Sequence, residues 1–164
     1  MENKPSWLPD LVNFNGNWDQ FLQAIYDIFK SDFIKRQPLF RGVPVKILIS
    51  KLSEGKEETF WHLISEGKTE ENRDTDLERC KRIRWPKAII VKSDAEKIIQ
   101  IWETNRGRDR RVLIRLIFTD NDYLVVLIPR KGKIYLLTAY LITWPHHKEN
   151  LRREYEAFKA NAAL

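Results

Sequence analysis

The sequence predicts an α+β fold, a small antiparallel β-sheet of three to five strands with an N-terminal helix and peripheral helices packed on it. Two patterns predict this class. Apolar residues recur at helical spacing near the start of the chain, and three apolar, β-branched runs separated by short turns follow in its second half. The chain has 164 residues, 43% of them hydrophobic, which suffices for the core of one domain.

The first 16 residues are expected to be an arm that precedes a single domain spanning residues 17–164. Pro5, Pro9 and Gly16 interrupt regular structure in this arm. Its apolar residues are expected to pack onto the domain. These are Trp7, Leu8, Leu11, Val12 and Phe14.

A helix is predicted over residues 18–35, where large apolar residues recur every three or four positions. Asn17 is a suitable N-cap, because its side chain can accept from a free backbone N–H of the first turn. The dipeptide Gln37-Pro38 is expected to end the helix, since the residue before proline avoids helical geometry.

The next segment contains a predicted strand, Val45–Ser50, and a charged turn, Ser53–Glu58. The run Phe60–Ile64 is too short for periodicity to decide between a strand and a helical turn. Asp74–Arg84 is predicted to be a helix that stops at Trp85-Pro86.

Ser93–Glu96 has the pattern of a capping box, which predicts a helix from there to about Thr104. Its inward face would be formed by Ala95, Ile98, Ile99 and Trp102.

Three strands are predicted to follow, Val112–Phe118, Tyr123–Ile128 and Lys133–Ile142. The turns between them, Asp120–Asp122 and Arg130–Gly132, are short enough to require antiparallel pairing. The second strand should be central, because Leu124–Ile128 is apolar on both faces. A last helix is predicted over His147–Lys159.

The chain is basic, with 29 Lys and Arg against 23 Asp and Glu and a formal net charge of +6. Such a balance favours an anionic partner such as nucleic acid, because phosphate contacts supply most non-specific affinity. Much of the positive charge lies in two clusters. These are Lys81, Arg82, Arg84 and Lys87, and Arg106, Arg108, Arg110 and Arg111.

Several classes of protein are disfavoured by the sequence. The single cysteine, Cys80, excludes an internal disulfide and any zinc site built from several cysteines. No apolar run approaches about 18 residues, and Met1–Pro9 lacks the apolar stretch of a signal peptide. Neither a phosphate-binding glycine loop nor a metal-binding motif is present, and the adjacent His146 and His147 should point apart. We expect a cytoplasmic protein with no membrane segment, cofactor or metal.

Five residues are candidates for chemistry. His62 stands alone among apolar neighbours, and an imidazole can act as a general acid or base near neutral pH. Arg79 and Arg82 lie one turn apart on the predicted exposed face of their helix, where two guanidinium groups can bracket an anion. Thr138 and Tyr140 project from the same face of their strand.

Each candidate also has a purely structural interpretation. His62 is compatible with a core histidine, and Arg79 and Arg82 with a solvated helix face on which Glu78 pairs with Arg82. Thr138 is a good strand former, and Tyr140 is compatible with a ring at the edge of the core. Together, however, the residues suit metal-free RNA cleavage. In that reaction the 2′-hydroxyl attacks the adjacent phosphate with help from an acid, a base and cationic donors.

Three segments resemble the superfamily of barnase, EndoU nucleases, tRNA-cleaving colicins and RelE, known as BECR, and more specifically its phage-associated, toxin-like branch. The segments are Thr59–His62, Arg79–Trp85 and Leu137–Tyr140. The resemblance implies a RelE- or barnase-like fold and a metal-independent endoribonuclease that cleaves tRNA or mRNA. It also implies a possible acidic antitoxin or immunity protein as partner.

The resemblance implies a catalytic role for His62, phosphate binding by Arg79 and Arg82, and active-site positions for Thr138 and Tyr140. Three further basic residues are predicted to bind the substrate. These are Lys81, Arg84 and Arg115. Glu58 and Glu78 are the candidates for a catalytic carboxylate, and the division between acid and base stays open.

Two alternatives to an active nuclease remain at this level. One is a non-catalytic nucleic-acid-binding or adaptor protein that uses the basic clusters, and the other is an inactive relative that kept the fold.

Overall fold

The computed structural model describes residues 4–49, 52–67, 74–118 and 122–162. The helices are α1 (Trp18–Lys30), α2 (Glu58–Ile64), α3 (Leu77–Lys81), α4 (Trp85–Lys92) and α5 (Pro145–Ala162). The short strands are β1 (Leu39–Phe40), β2 (Val43–Lys46), β3 (Leu52–Ser53), β4 (Lys56–Glu57), β5 (Ser65–Glu66) and β6 (Asp74–Thr75). The long strands are β7 (Ile99–Arg106), β8 (Asp109–Leu116), β9 (Asp122–Arg130) and β10 (Lys133–Ile142).

The main sheet has six strands in the order β1-β2-β10-β9-β8-β7 and curls into a half-barrel. The four long strands form an antiparallel meander, but β2 runs parallel to β10, with Val45 opposite Ile134. The prediction of a purely antiparallel sheet of three to five strands is therefore wrong, although the α+β class is confirmed. Turn length determines the direction only of strands that are consecutive in sequence, and β2 and β10 are not.

The helix predicted after the capping box is a strand. Residues 99–106 pair along their whole length with β8 across a tight turn, with Arg106 opposite Asp109. Gly107 occupies a left-handed conformation in this turn (φ +63°), which glycine adopts without strain. The Ser93 hydroxyl donates to the carbonyl of Ile90 at 2.8 Å instead of capping a new helix.

The helix predicted over residues 74–84 is much shorter. Residues 74–75 pair with β5, and the Asp76 side chain caps α3 by accepting from the backbone N–H groups of Glu78 and Arg79. Trp85-Pro86, predicted to stop a helix, begins α4. Proline fits the first turn of a helix because the N–H it lacks has no partner there.

The first helix agrees with its prediction, whereas the strand predicted over Val45–Ser50 begins at Val43 and ends at Lys46. The Asn17 side chain accepts from the backbone N–H of Gln20 at the start of α1, and a π-helical turn, Ser31–Lys35, continues the helix. Phe60–Ile64, for which periodicity did not decide between a strand and a helical turn, is helical, within α2. Residue 50 of the predicted strand and residues 120–121 of the predicted turn lie outside the described residues.

The core forms on both faces of the sheet. One face packs against α1, α2, α4 and the arm, whose Leu8 is buried. The other face packs against α5 through Trp102, Leu124 and Leu151. Every residue from Tyr123 to Ile128 is buried, which confirms the central position predicted for this strand. None of the described helices is long and apolar enough to cross a membrane.

Candidate active site

The candidate site is a groove along one edge of β10, beyond the two residues at which β2 pairs with that edge. Strand β2 pairs with β10 only at Ile134 and Tyr135, and helices α2 and α3 contact β10 further along. A cavity of about 270 Å³ opens there, which we call the α2 cavity. The described residues that line it are His62, Ser65, Gly67, Arg79, Leu137, Thr138 and Tyr140. Four of the five predicted catalytic residues therefore share one groove, although three separate elements supply them.

Thr138 holds α2 against the sheet. Its hydroxyl donates to the backbone carbonyl of His62 at 3.2 Å, at the last turn of the helix. The register of β10 shifts between Leu136 and Thr138, after which Thr138 lies opposite Val126 and Tyr140 opposite Leu124. Thr138 therefore lies in the groove, and the hydrogen bond from its hydroxyl positions the backbone of His62.

His62 has a carboxylate neighbour from its own helix. Its Nε2 lies 3.3 Å from Oε1 of Glu58, one turn earlier in α2, and both side chains are largely buried. Of the two predicted candidates for a catalytic carboxylate, Glu58 is thus the one beside an imidazole. Glu78 instead pairs with Arg82 and Lys81, and its bond to Arg82 lowers the pKa of the Glu78 carboxyl.

Arg79 is held in place from three sides. Its Nη1 donates to the carbonyl of Ser65 at 2.7 Å, its Nε lies 3.7 Å from the Asp76 carboxylate, and its guanidinium stacks 5.1 Å from the ring centre of Tyr140. A guanidinium fixed in this way needs little rearrangement to bind a phosphate.

His147, on the first turn of α5, joins the site although the sequence did not point to it. Its Nε2 lies 3.0 Å from the Tyr140 hydroxyl, and the two rings stack with centres 6.0 Å apart. Burial, followed by the positive charges of Arg106 and Arg115, lowers the pKa of His147, and burial raises the pKa of Tyr140. The tautomer of the neutral imidazole sets which of the two atoms, Nε2 of His147 or the Tyr140 hydroxyl oxygen, donates this hydrogen bond. Adjacent histidines do point apart, but one of them can still enter a site alone.

A second cavity of about 240 Å³ shares two lining residues, Arg79 and Tyr140, with the first. We call it the α5 cavity. Its remaining lining residues are Glu66, Asp76, Glu78, Leu141, Ile142, Thr143, Trp144 and His147. The two cavities differ in charge. Arg79 and His62 line the α2 cavity with no carboxylate among its described lining residues, whereas the α5 cavity has three carboxylates.

The prediction for Arg82 is wrong in its placement. Arg82 is only 7% exposed and lines neither cavity. Its Nη1 donates to the backbone carbonyl and the carboxylate of Glu78, and its guanidinium stacks on Trp85. The prediction of an exposed helix face misplaced Arg82 because α3 ends at Lys81, and Arg82 already has non-helical backbone angles.

The three predicted substrate-binding residues do not line the groove either. Lys81 lies 3.6 Å from the Glu78 carboxylate. Arg84 lines a separate cavity of about 340 Å³ beside the arm. Arg115 is buried in an ion pair with Asp122.

Comparison with known proteins identifies no relative, because no family model, curated protein or solved structure matches this chain. Among residues 4–49, 52–67, 74–118 and 122–162, no three His, Cys, Asp or Glu side chains are grouped so as to hold a metal ion.

The lowered pKa of His147 predicts a specific pH dependence of stability. Because its pKa in the folded protein lies below the ordinary value of 6.5, its favourable contribution is complete above pH 6.5. That contribution is lost as the pH falls through the folded pKa. Replacing His147 with Gln should therefore reduce the loss of stability between pH 7.5 and pH 5, measured by urea unfolding. His146→Gln, at the exposed neighbouring histidine, is the matched control. Parallel profiles for wild type and His147→Gln would contradict the assignment.

Proposed function

We propose that this protein is a metal-independent endoribonuclease that cleaves RNA, tRNA or mRNA, by attack of a 2′-hydroxyl on the adjacent phosphate. The observation that carries the proposal is the convergence of His62, Arg79, Thr138 and Tyr140 in one groove from three elements. The resemblance to BECR nucleases supports the same activity.

The proposed reaction needs two proton transfers. The 2′-oxygen forms a bond to phosphorus and loses its proton to a base, while the bond from phosphorus to the 5′-oxygen breaks and an acid protonates that oxygen. The products are a 2′,3′-cyclic phosphate and a free 5′-hydroxyl. His62 supplies one transfer, oriented by Glu58. The Tyr140–His147 pair supplies the other through the phenol hydroxyl.

Arg79 would stabilise the charge that accumulates on the phosphate. Guanidinium binds phosphate through two parallel N–H donors, a geometry that the point charge of lysine cannot provide. Its contacts with Ser65, Asp76 and Tyr140 hold it in the lining of both cavities before any substrate arrives.

Incubation of the purified protein with total tRNA and with a single-stranded RNA in excess EDTA tests the proposal. We expect discrete cleavage products that end in a 2′,3′-cyclic phosphate. EDTA inactivates metal-dependent contaminants, and Arg84→Ala, purified in parallel and altered outside the groove, should cleave normally. Intact RNA with several unrelated substrates would overturn the proposal.

Arg79→Lys should lower kcat by on the order of 100-fold, comparable to the loss of one positioned donor in a transition state. The positive charge is kept, so affinity for a non-cleavable RNA should change much less. Single-turnover kinetics separate the two quantities. Lys81→Arg, on the same helix but outside both cavities, is the control. Unchanged single-turnover cleavage in Arg79→Lys would remove Arg79 from the mechanism.

A non-catalytic RNA-binding module is the second candidate. It is favoured by the cavity beside the arm, which is lined by Trp7, by the cationic residues Arg84, Lys87 and Lys92, and by Asp32, whose carboxylate lies 3.8 Å from Nζ of Lys87. This function predicts salt-sensitive RNA binding without cleavage. Affinity would then fall on removing Arg84 or Lys87 and would not depend on His62.

A further inference from the structure

Trp144 is the most exposed large apolar side chain among the described residues, at 74% of its surface. It follows β10 and lines the α5 cavity together with Tyr140 and His147. Leaving an indole in water forgoes the burial energy that such a large ring usually contributes. An exposed tryptophan beside a candidate active site is therefore suited to contact a ligand.

The backbone that carries this ring is well held. Pro145 is the first residue of α5, and the residue before a proline is restricted to extended conformations. The carbonyl of Trp144 accepts from the backbone N–H of Lys148 at 3.0 Å, which closes the first helical turn. The indole is thus presented from a fixed position between β10 and α5.

The charge of the α5 cavity indicates which part of an RNA would occupy it. Three carboxylates, those of Glu66, Asp76 and Glu78, and one guanidinium, that of Arg79, line it, and this net negative lining disfavours a phosphate. A nucleobase is uncharged, offers a flat face for stacking, and carries N–H donors at its edge for which carboxylates are acceptors. The α2 cavity, lined by Arg79 and His62, has the opposite character and suits the phosphate.

We infer that Trp144 is a stacking platform for an unpaired nucleobase next to the cleaved phosphate. The inference rests on the proposed function for the position of the phosphate, and it deepens that function by naming the substrate as single-stranded or looped RNA. Within a duplex the base is stacked between its neighbours and cannot lie on the indole. Arg79 and Tyr140, which contact each other, line both cavities, so adjacent parts of one nucleotide can occupy both.

Binding of a 2′-O-methyl oligonucleotide tests this inference, because such a probe lacks the attacking hydroxyl and cannot be cleaved. We expect Trp144→Leu to weaken binding by about 10- to 100-fold in fluorescence anisotropy, the range for loss of one stacked base. Trp144→Phe should keep most of the affinity. Trp18→Leu, at another exposed tryptophan outside both cavities, should bind within about twofold of wild type. A duplex of the same sequence should compete poorly.

The outcomes separate this inference from the proposed function. If Trp144→Leu binds the single strand as tightly as wild type, the stacking platform is wrong even when wild type cleaves RNA. If Trp144→Leu loses binding while wild type cleaves nothing in EDTA, the platform stands and the nuclease proposal fails. Equal competition by single-stranded and duplex RNA would also overturn the platform.

Discussion

Replacing His62 with alanine is expected to lower kcat/KM for RNA cleavage by about 10²- to 10⁴-fold, the contribution of a positioned general acid or base. His62 is the only imidazole in the α2 cavity among the described residues, and Glu58 lies 3.3 Å from its Nε2. The measurement is single-turnover cleavage of a single-stranded RNA in EDTA.

The fold should survive this substitution. Thr138 donates to the backbone carbonyl of residue 62, which alanine retains, and alanine is a good helix former. Thermal unfolding of the variant should therefore resemble that of wild type. His146→Ala, at an exposed histidine outside both cavities, is the matched control and should cleave normally. Full activity in His62→Ala would remove the residue from the mechanism.

Replacing Arg115 with methionine is expected to destabilise the fold by about 3–5 kcal/mol. The side chains of Arg115 and Asp122 are only 8% and 7% exposed, and Nε of Arg115 donates to the Asp122 carboxylate at 2.9 Å. Methionine keeps much of the volume but leaves a buried carboxylate without its cation. Urea unfolding at pH 7 measures the loss.

A double variant separates the net contribution of the ion pair from the free-energy cost of leaving the Asp122 carboxylate buried without a cation. Arg115→Met with Asp122→Leu should recover most of the lost stability, because apolar replacement of a whole buried pair is often neutral. Arg110→Met, at an exposed arginine paired with Glu103, should change stability by less than about 1 kcal/mol. If Arg115→Met instead weakened RNA binding at unchanged stability, the predicted role in substrate binding would be restored.

Local sequence patterns were sufficient to predict those helices and strands whose structure depends on residues close together in the chain. The helix after Asn17 and the three C-terminal strands were predicted from periodicity, and the buried run Tyr123–Ile128 from its apolar residues on both faces. The capping box at Ser93 failed because pairing with β8 outweighed it. Ile99, Ile101 and Trp102 suit a pleated surface as well as a helix, and the tight turn at Gly107 brings the two strands together.

In the candidate site, too, some residues were predictable from the local sequence and others depended on long-range contacts. His62, Arg79, Thr138 and Tyr140 were recognisable by residue type and order, and the structure places them in one groove. His147 and Trp144 were missed because the sequence does not reveal that the start of α5 lines the α5 cavity, beside Arg79 and Tyr140.

By itself, the sequence determined the α+β class, the faces of α1 and the meander, and the residue types available for chemistry. Only the tertiary structure decided that β2 runs parallel to β10 and pairs over two residues, which leaves the edge where the groove forms. It alone decided that Arg82 and Arg115 are buried in ion pairs while Arg79 lines the groove. The physical reason is the distance along the chain between the residues that interact. Periodicity records which face of an element is apolar, whereas strand partners and the burial of a charge depend on segments far apart in the chain.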